Sequence, residues 1–172
     1  MKRILLQLLF FLFLNSIFSQ QKIDTSRYVG DSLKVAITYD EHLIDSIIAY
    51  GSIYIGKPHC MGGTGENCLD CSGFMCKILK KYGIEIGRDS EQMAYYGRLV
   101  KPLDSLRRGD LVFFTNSYKT SKFVTHVGMY TENGFFIHAS AAKGVEVIDF
   151  VHSTYWSSRY IFSKRIFKEM MP

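Results

Sequence analysis

The sequence LDCSGF at residues 69–74 decides how the rest of the chain is arranged. It follows the glycine-rich run GGTG at residues 62–65. It opens a segment in which apolar side chains recur at helical spacing, and Gly83 stands where a C-terminal cap belongs. Cys71 is therefore predicted to lie in the first turn of a helix, directly after a loop. Peptide dipoles at that position favour an anion such as a thiolate, which is the form that attacks carbonyl groups.

The composition indicates one globular domain. The chain has 172 residues, of which 47% are hydrophobic and 22% charged, and its aromatic content of 15% suits a strand-rich fold. The formal net charge is +5, and Lys2 and Arg3 supply two of these charges. No basic helix or arginine cluster accompanies this mild charge, so a nucleic-acid partner is not expected. A slightly basic surface suits an anionic polymer instead.

The first 19 residues are typical of an export signal. Lys2 and Arg3 precede an apolar run over residues 4–14 and a short polar exit, with cleavage expected after Ser19. The run is shorter than the roughly 20 residues of a membrane span, which disfavours an uncleaved anchor. We therefore expect a signal peptide (1–19), an N-terminal segment (20–39) and a main domain (40–172). The mature chain is expected in the periplasm, the cell envelope or the medium, without stable membrane insertion.

Helical patterns precede strand patterns along the chain. Asp40 is placed to cap a helix that carries apolar residues at helical spacing, and the Cys71 helix follows. Beyond the turn RRGD at residues 107–110, the strand-like stretches are 111–115, 123–130, 134–140, 145–150 and 159–167. This order predicts an α+β fold, with N-terminal helices packed on a central antiparallel sheet.

Two histidines lie on the two arms of a predicted hairpin around Asn133–Gly134, a strong turn sequence. A cysteine nucleophile needs a base to take its proton, and His126 and His138 are the candidates. A two-residue turn pairs Phe135 with Glu132 and Tyr130 with Ile137. In that register the two histidines lie on opposite faces of the sheet, and a bulge or a longer turn is needed to bring them together.

The four cysteines allow other kinds of site. Cys68 and Cys71 have the spacing of a redox pair, and together with Cys60 and a histidine they could bind zinc. Zinc ribbons usually carry two such cysteine pairs and this chain has one, so no metal or other cofactor is expected. On pattern alone, an inert buried cysteine and structural histidines stay open as alternatives.

Four motifs, in order, resemble those of the NlpC/P60 family of cysteine peptidases. They are DCSGF at residues 70–74, RGDLVFF at 108–114, HVGMY at 126–130 and IHA at 137–139. The glycines at 62–63, the connection RDSEQ at 88–92 and the pair YW at 155–156 also fit. The resemblance covers nearly all of the expected mature chain. It implies a papain-like α+β fold in which residues 40–172 form the catalytic domain.

The resemblance also implies an activity, namely hydrolysis of amide bonds in peptidoglycan stem peptides. Cys71 matches the family nucleophile, His126 the base, and His138 the third polar residue that orients the imidazole. The backbone N–H of Cys71 would help to hold the oxyanion. The positions that line the family's substrate groove are matched by Asp70, Ser72 and Ser90.

One position departs from the family pattern. His59 stands where the family usually has a tyrosine that donates a hydrogen bond toward the active site. Histidine can donate as well, but its reach and charge differ, so we expect an effect on the oxyanion or on substrate choice. Cys60 and Cys68 are also outside the pattern, and in an oxidising compartment they could pair across the glycine loop.

Three functions are compatible with this resemblance. The first is an exported peptidoglycan endopeptidase that acts as a monomer through Cys71, His126 and His138. The second is an amidase or acyltransferase that uses the same thiol on another carbonyl group. The third is a non-catalytic wall-binding module, which is disfavoured because all three side chains are present. The sequence does not determine which stem-peptide bond is cut.

Overall fold

The computed structural model describes residue 28, residues 37–101 and residues 103–168. The predicted signal peptide (1–19), its cleavage site and most of the N-terminal segment (20–39) lie outside the described residues. Within the described ranges, no helix is both long enough and apolar enough to cross a membrane.

The elements follow the predicted order, with helices first and strands after. The helices are α1 (Glu41–Ser52), α2 (Cys71–Lys80), α3 (Ser90–Met93) and α4 (Thr154–Ser157), with a 3₁₀ turn at Leu103–Ser105. The strands are β1 (Arg98–Val100), β2 (Leu111–Phe114), β3 (His126–Glu132), β4 (Phe135–Ser140), β5 (Gly144–Asp149) and β6 (Tyr160–Arg165). They form one antiparallel sheet in the order β1-β6-β2-β3-β4-β5. The predicted α+β arrangement is confirmed.

Strand alternation gives the sheet two buried faces. One face packs against α1 and α2, and this main core includes Ile44, Ile47, Phe74, Ile78, Phe113, Val127, Met129 and Ile137. The second core lies on the other face and consists of Val112, Phe114, Phe136, Phe150 and Trp156. Phe113 and Phe114 thus belong to different cores, as expected for neighbours in a strand. A sheet buried on both faces can hold polar side chains away from water.

Both long helices begin where the sequence predicts. The carboxylate of Asp40 accepts a hydrogen bond from the N–H of Leu43, and Asp70 accepts one from the N–H of Gly73. Cys71 is therefore the first residue of α2, one position after its N-cap. Gly83 has the positive φ of +75° that the predicted C-terminal cap requires.

The β3–β4 hairpin turns at Asn133–Gly134 as predicted, but its register changes next to the turn. The observed partners are Glu132 with Phe135, Tyr130 with Phe136, and Met129 with Ile137. The pairing of Glu132 with Phe135 is confirmed, whereas that of Tyr130 with Ile137 is wrong. The reason is that Thr131 is an extra residue on β3 and forms a bulge.

The bulge decides which way the two histidines face. A shift of one residue in strand register moves a side chain to the other face of a sheet. With Thr131 inserted, His126 on β3 and His138 on β4 have the same parity and lie on the same face.

The five predicted strands correspond to β2–β6, with ends displaced by up to three residues, and one further strand was missed. The strand expected at 123–130 begins only at His126, although the N–H of Thr125 still donates to Phe114 O at 2.9 Å. Strand β1 was not predicted; it has three residues and pairs with β6, which lies far from it in sequence. Such short, non-local strands carry little periodic signal.

Candidate active site

A cavity of about 870 Å³ lies at the N-terminal end of α2, beside the start of β3. Six of the seven predicted site residues line it: His59, Asp70, Cys71, Ser72, Ser90 and His126. The seventh, His138, is fully buried and contacts His126 directly. The structure therefore places all seven predicted site residues in or directly behind one cavity.

The two histidines form a hydrogen bond. His126 Nε2 and His138 Nδ1 lie 2.8 Å apart, and both side chains are buried. When both rings are neutral, one nitrogen of this contact donates and the other accepts. When Nε2 of His126 is the donor, its Nδ1 carries no hydrogen and is free to take a proton.

Aromatic rings surround the histidine pair. The ring centroid of Trp156 lies 4.7 Å from that of His126 and 4.8 Å from that of His138, and Phe136 stacks on His138 at 4.2 Å. Burial lowers the pKa of His126 to about 3, with a further contribution from His59. Burial, followed by the neighbouring His126, lowers the pKa of His138 well below its usual value. Both rings are therefore neutral near pH 7, and His126 can act as a base.

We expect the fold to lose stability as the pH falls below about 6. An unfolded histidine binds a proton near pH 6.5, whereas folded His126 stays neutral down to about pH 3, so the unfolded state binds more protons in this interval. The free energy of unfolding should fall by up to about 1.4 kcal/mol per pH unit for each such histidine. Urea denaturation at about pH 6.5 and about pH 4.5 measures this slope.

The variant His126→Gln supplies the control for that measurement, because it removes one of the groups that titrate only after unfolding. Its free energy of unfolding should depend less steeply on pH than that of the natural protein. The difference in slope corresponds to about one fewer proton taken up on unfolding over the same pH interval. Parallel curves for the two proteins would contradict a neutral, buried His126.

Cys71 is a partly exposed free thiol. Burial raises the pKa of this thiol to about 11; the backbone N–H of Val127 opposes this, and the carboxylate of Asp70 adds to it. The backbone N–H groups of Cys71 and Ser72 at the helix start lower the pKa of the thiol, but desolvation outweighs them in the resting site. The proton thus begins on the sulfur, and neutral His126 can accept it as the sulfur attacks.

Arg88 holds Asp70 in place, a role that the sequence did not reveal. Its two terminal nitrogens donate to Oδ1 and Oδ2 of Asp70 at 3.2 and 3.0 Å. Ser72 Oγ donates to Asp70 Oδ1 at 3.1 Å and accepts from Arg88 at 3.0 Å. Burial alone would raise the pKa of Asp70, but Arg88 and the N–H of Gly73 outweigh it and hold the pKa below its usual value. Arg88 itself lines the cavity.

Ser90 has a structural partner as well as a place in the cavity wall. Its buried hydroxyl donates to the carbonyl oxygen of Val124 at 3.2 Å. This bond ties the start of α3 to the segment that leads into His126. Ser90 therefore supports the position of β3 whether or not it contacts a substrate.

A disulfide closes the glycine-rich loop. Cys60 and Cys68 are bonded to each other, and Cys71 stays free. The proposed redox pair of Cys68 with Cys71 is therefore wrong, because Cys68 already has a partner. The same bond occupies two of the three sulfurs that the zinc alternative required.

The loop lies so close to α2 that residue 73 must be glycine. A Cβ added at Gly73 would lie 2.0 Å from the carbonyl oxygen of Gly63. That same oxygen accepts a hydrogen bond from the N–H of Asp70 at 3.0 Å. The contact holds the loop against the start of the helix that carries Cys71.

His59 directly precedes Cys60, at the start of the loop that the disulfide closes. Its backbone forms a parallel bridge with Leu69, and its side chain lines the cavity. It is close enough to His126 for its charge to lower the pKa of that residue. His59 is therefore a wall residue of the cavity.

The sequence profile of the NlpC/P60 family matches residues 56–165, which include both histidines and Cys71. The chain belongs to the NlpC/P60 family. It is 33% identical over 143 residues to a γ-D-glutamyl-L-lysine dipeptidyl-peptidase of Bacillus subtilis, covering 82% of this chain and 47% of that protein. It is 36% identical over 122 residues to a probable peptidoglycan endopeptidase, LytE, of the same organism, covering 71% of this chain and 34% of that protein.

Solved structures show the same fold. The crystal structure of a NlpC/P60 family protein from Bacillus cereus matches with a TM-score of 0.65 and 34% identity, over 72% of this chain and 40% of that one. The predicted papain-like α+β fold is thereby confirmed. This NlpC/P60 chain spans less than half the length of the two curated relatives described above.

Proposed function

We propose that this chain is an exported cysteine endopeptidase that hydrolyses amide bonds in peptidoglycan stem peptides. One observation carries the proposal: a partly exposed thiol at the start of a helix shares a cavity with a neutral histidine, whose second nitrogen is bonded to another histidine at 2.8 Å. Family membership and the names of the two relatives support the choice of substrate. The disulfide supports export, because such bonds persist in oxidising compartments.

In the proposed reaction the proton starts on the sulfur of Cys71 and moves to His126 only as the new bond between sulfur and carbon forms. The sulfur of Cys71 attacks the amide carbonyl while Nδ1 of His126 takes the thiol proton. The backbone N–H of Cys71, at the unpaired start of α2, donates to the oxyanion. Protonated His126 then gives its proton to the leaving amine. Water, deprotonated by His126, finally attacks the thioester carbon; the C–S bond breaks, the carboxylic acid leaves, and the proton on His126 returns to the sulfur of Cys71.

Mass spectrometry of purified wall fragments tests the activity. Incubation with residues 20–172 should release fragments that carry a new amine and a new carboxylate at one amide bond, and the Cys71→Ala protein should release none. The site of the new ends identifies the bond. An acyltransferase would instead add mass to an acceptor amine, and a wall-binding module would bind the fragments without changing their masses.

His59 is expected to assist the reaction from the cavity wall. His59→Ala should lower kcat/KM on the order of a hundred-fold, because one oxyanion donor is lost, and His59→Tyr should stay active because the phenol also donates. Steady-state kinetics on a defined stem peptide measure both variants. The exposed His42 of α1 provides the control, since His42→Ala should leave the rate unchanged. A fully active His59→Ala protein would remove His59 from the mechanism.

A further inference from the structure

One buried polar atom beside the site lacks a hydrogen-bond partner among the residues that the structure describes. It is Nε2 of His138, whose side chain is fully buried. Glu146 is the cross-strand partner of His138 on β5, and its Oε1 lies 3.7 Å from that nitrogen. A carboxylate thus stands behind the histidine pair, on the side away from His126 Nε2.

The hydrogen bond between the histidines determines whether the His138 nitrogen next to Glu146 carries a hydrogen. If Nδ1 of His126 is to accept the proton of Cys71, its Nε2 must carry a hydrogen and donate it to Nδ1 of His138. His138 then carries its own hydrogen on Nε2, next to Glu146. If His138 carried its hydrogen on Nδ1 instead, that N–H would face the N–H of His126 Nε2. His126 could avoid this only by carrying its own hydrogen on Nδ1, and its basic nitrogen would then face His138 instead of Cys71.

We propose that Glu146 is a positioning residue for the reaction: its carboxylate holds the hydrogen of His138 on Nε2, so that His126 keeps Nδ1 free for the proton of Cys71. Its negative charge also stabilises the positive charge that the histidine pair gains when that proton arrives. This inference rests on the proposed function. Hydrogen bonds at a catalytic site are often long in the free protein and shorten when the charge develops.

Other groups fix the position of the carboxylate. Ser140 Oγ donates to Glu146 Oε1 at 2.7 Å, and Lys143 Nζ lies 3.8 Å from Oε2. The Lys143 side chain is 72% exposed, so its ion pair contributes little. Glu146 has a side chain that is 18% exposed and also lines the cavity. The alternative role for Glu146 is therefore a contact with a cationic group of the substrate.

Two variants separate these roles. Glu146→Gln keeps the shape but removes the charge, and it should lower kcat about tenfold with KM changed less than about twofold, because only the charged state of the histidines is affected. Glu146→Leu should lower kcat at least as much. The matched control is Glu132→Gln, which removes an exposed carboxylate from the same sheet and should change neither constant. A raised KM with kcat unchanged would assign Glu146 to substrate binding and overturn the proposal.

A second measurement needs no turnover. In ¹⁵N-labelled protein, the ring nitrogens of His138 should report hydrogen on Nε2, and in Glu146→Leu a substantial fraction should move to Nδ1. An identical tautomer ratio in the two proteins would overturn the role of Glu146. This result is independent of hydrolysis, so a failure of the proposed function is distinguishable from a failure of this inference. If Glu146→Leu does not fold, the kinetic constants of Glu146→Gln decide.

Discussion

Cys71→Ala is expected to abolish hydrolysis, with a loss of roughly 10⁴-fold or more in kcat, while the fold remains intact. Alanine is a good first residue for a helix, and the cap from Asp70 to the N–H of Gly73 does not involve the sulfur. The variant removes only the nucleophile. Release of stem-peptide fragments measures the loss, and thermal unfolding shows that the domain is still folded.

Cys76→Ala is the matched control, because it changes the second free thiol of the same helix. Cys76 is partly buried and its sulfur lies 3.6 Å from the carbonyl oxygen of Gly87, which is a weak contact. Burial raises the pKa of this thiol, and Cys76 does not line the main cavity. We expect Cys76→Ala to retain full activity. An inactive Cys76→Ala protein together with an active Cys71→Ala protein would reverse the assignment.

His126→Ala is expected to lower kcat/KM by about a thousand-fold or more, and His138→Asn by a smaller factor of about ten to a hundred. Without His126 the proton of a thiol whose pKa is about 11 loses its proposed acceptor. Asparagine at position 138 can still accept the hydrogen bond from Nε2 of His126 through its amide oxygen, so the base stays oriented.

Kinetics of the two variants on one defined substrate give the ranking. The exposed His152, which bonds to Asp149 at 2.7 Å, supplies the control, since His152→Ala should have little effect. A larger loss in His138→Asn than in His126→Ala would mean that the base and the orienting residue have been exchanged.

Features set by neighbouring residues could be predicted from the sequence. Asp40 and Asp70 precede their helices by one position, and both act as caps. The order of helices and strands and the turn at Asn133–Gly134 were also predictable, because apolar spacing and turn residues are local signals. The family motifs then nominated seven residues that the fold brings to one place.

The register of the hairpin could not be predicted, because the sequence around Thr131 carries no bulge signal. The two-residue turn alone assigned His126 and His138 to opposite faces. One extra residue on β3 reverses that result, and it is seen only once the strands are paired. The contact between the histidines therefore depends on tertiary structure.

The net shift in the pKa of Cys71 could not be predicted for a related reason. Helix position is visible in the sequence, but the burial that raises its pKa is produced by the whole fold. Arg88, Trp156 and Glu146 were missed as site residues in the same way. Trp156 is the only tryptophan of the chain and Arg88 belongs to the stretch RDSEQ at residues 88–92, so the sequence drew attention to both. Glu146 offered no such signal, because its importance depends on its pairing with His138 across the sheet.

The Cys60–Cys68 disulfide places two opposing demands on any assay buffer. A reductant is needed because Cys71 must stay a thiol to attack, and sulfenic acid or a mixed disulfide would block it. A reductant strong enough to open the Cys60–Cys68 bond would also release the loop beside His59, which lines the cavity. The working protein is neither fully reduced nor fully oxidised. The measured rate is therefore expected to depend on the ratio of thiol to disulfide in the buffer as well as on the pH, and both should be controlled.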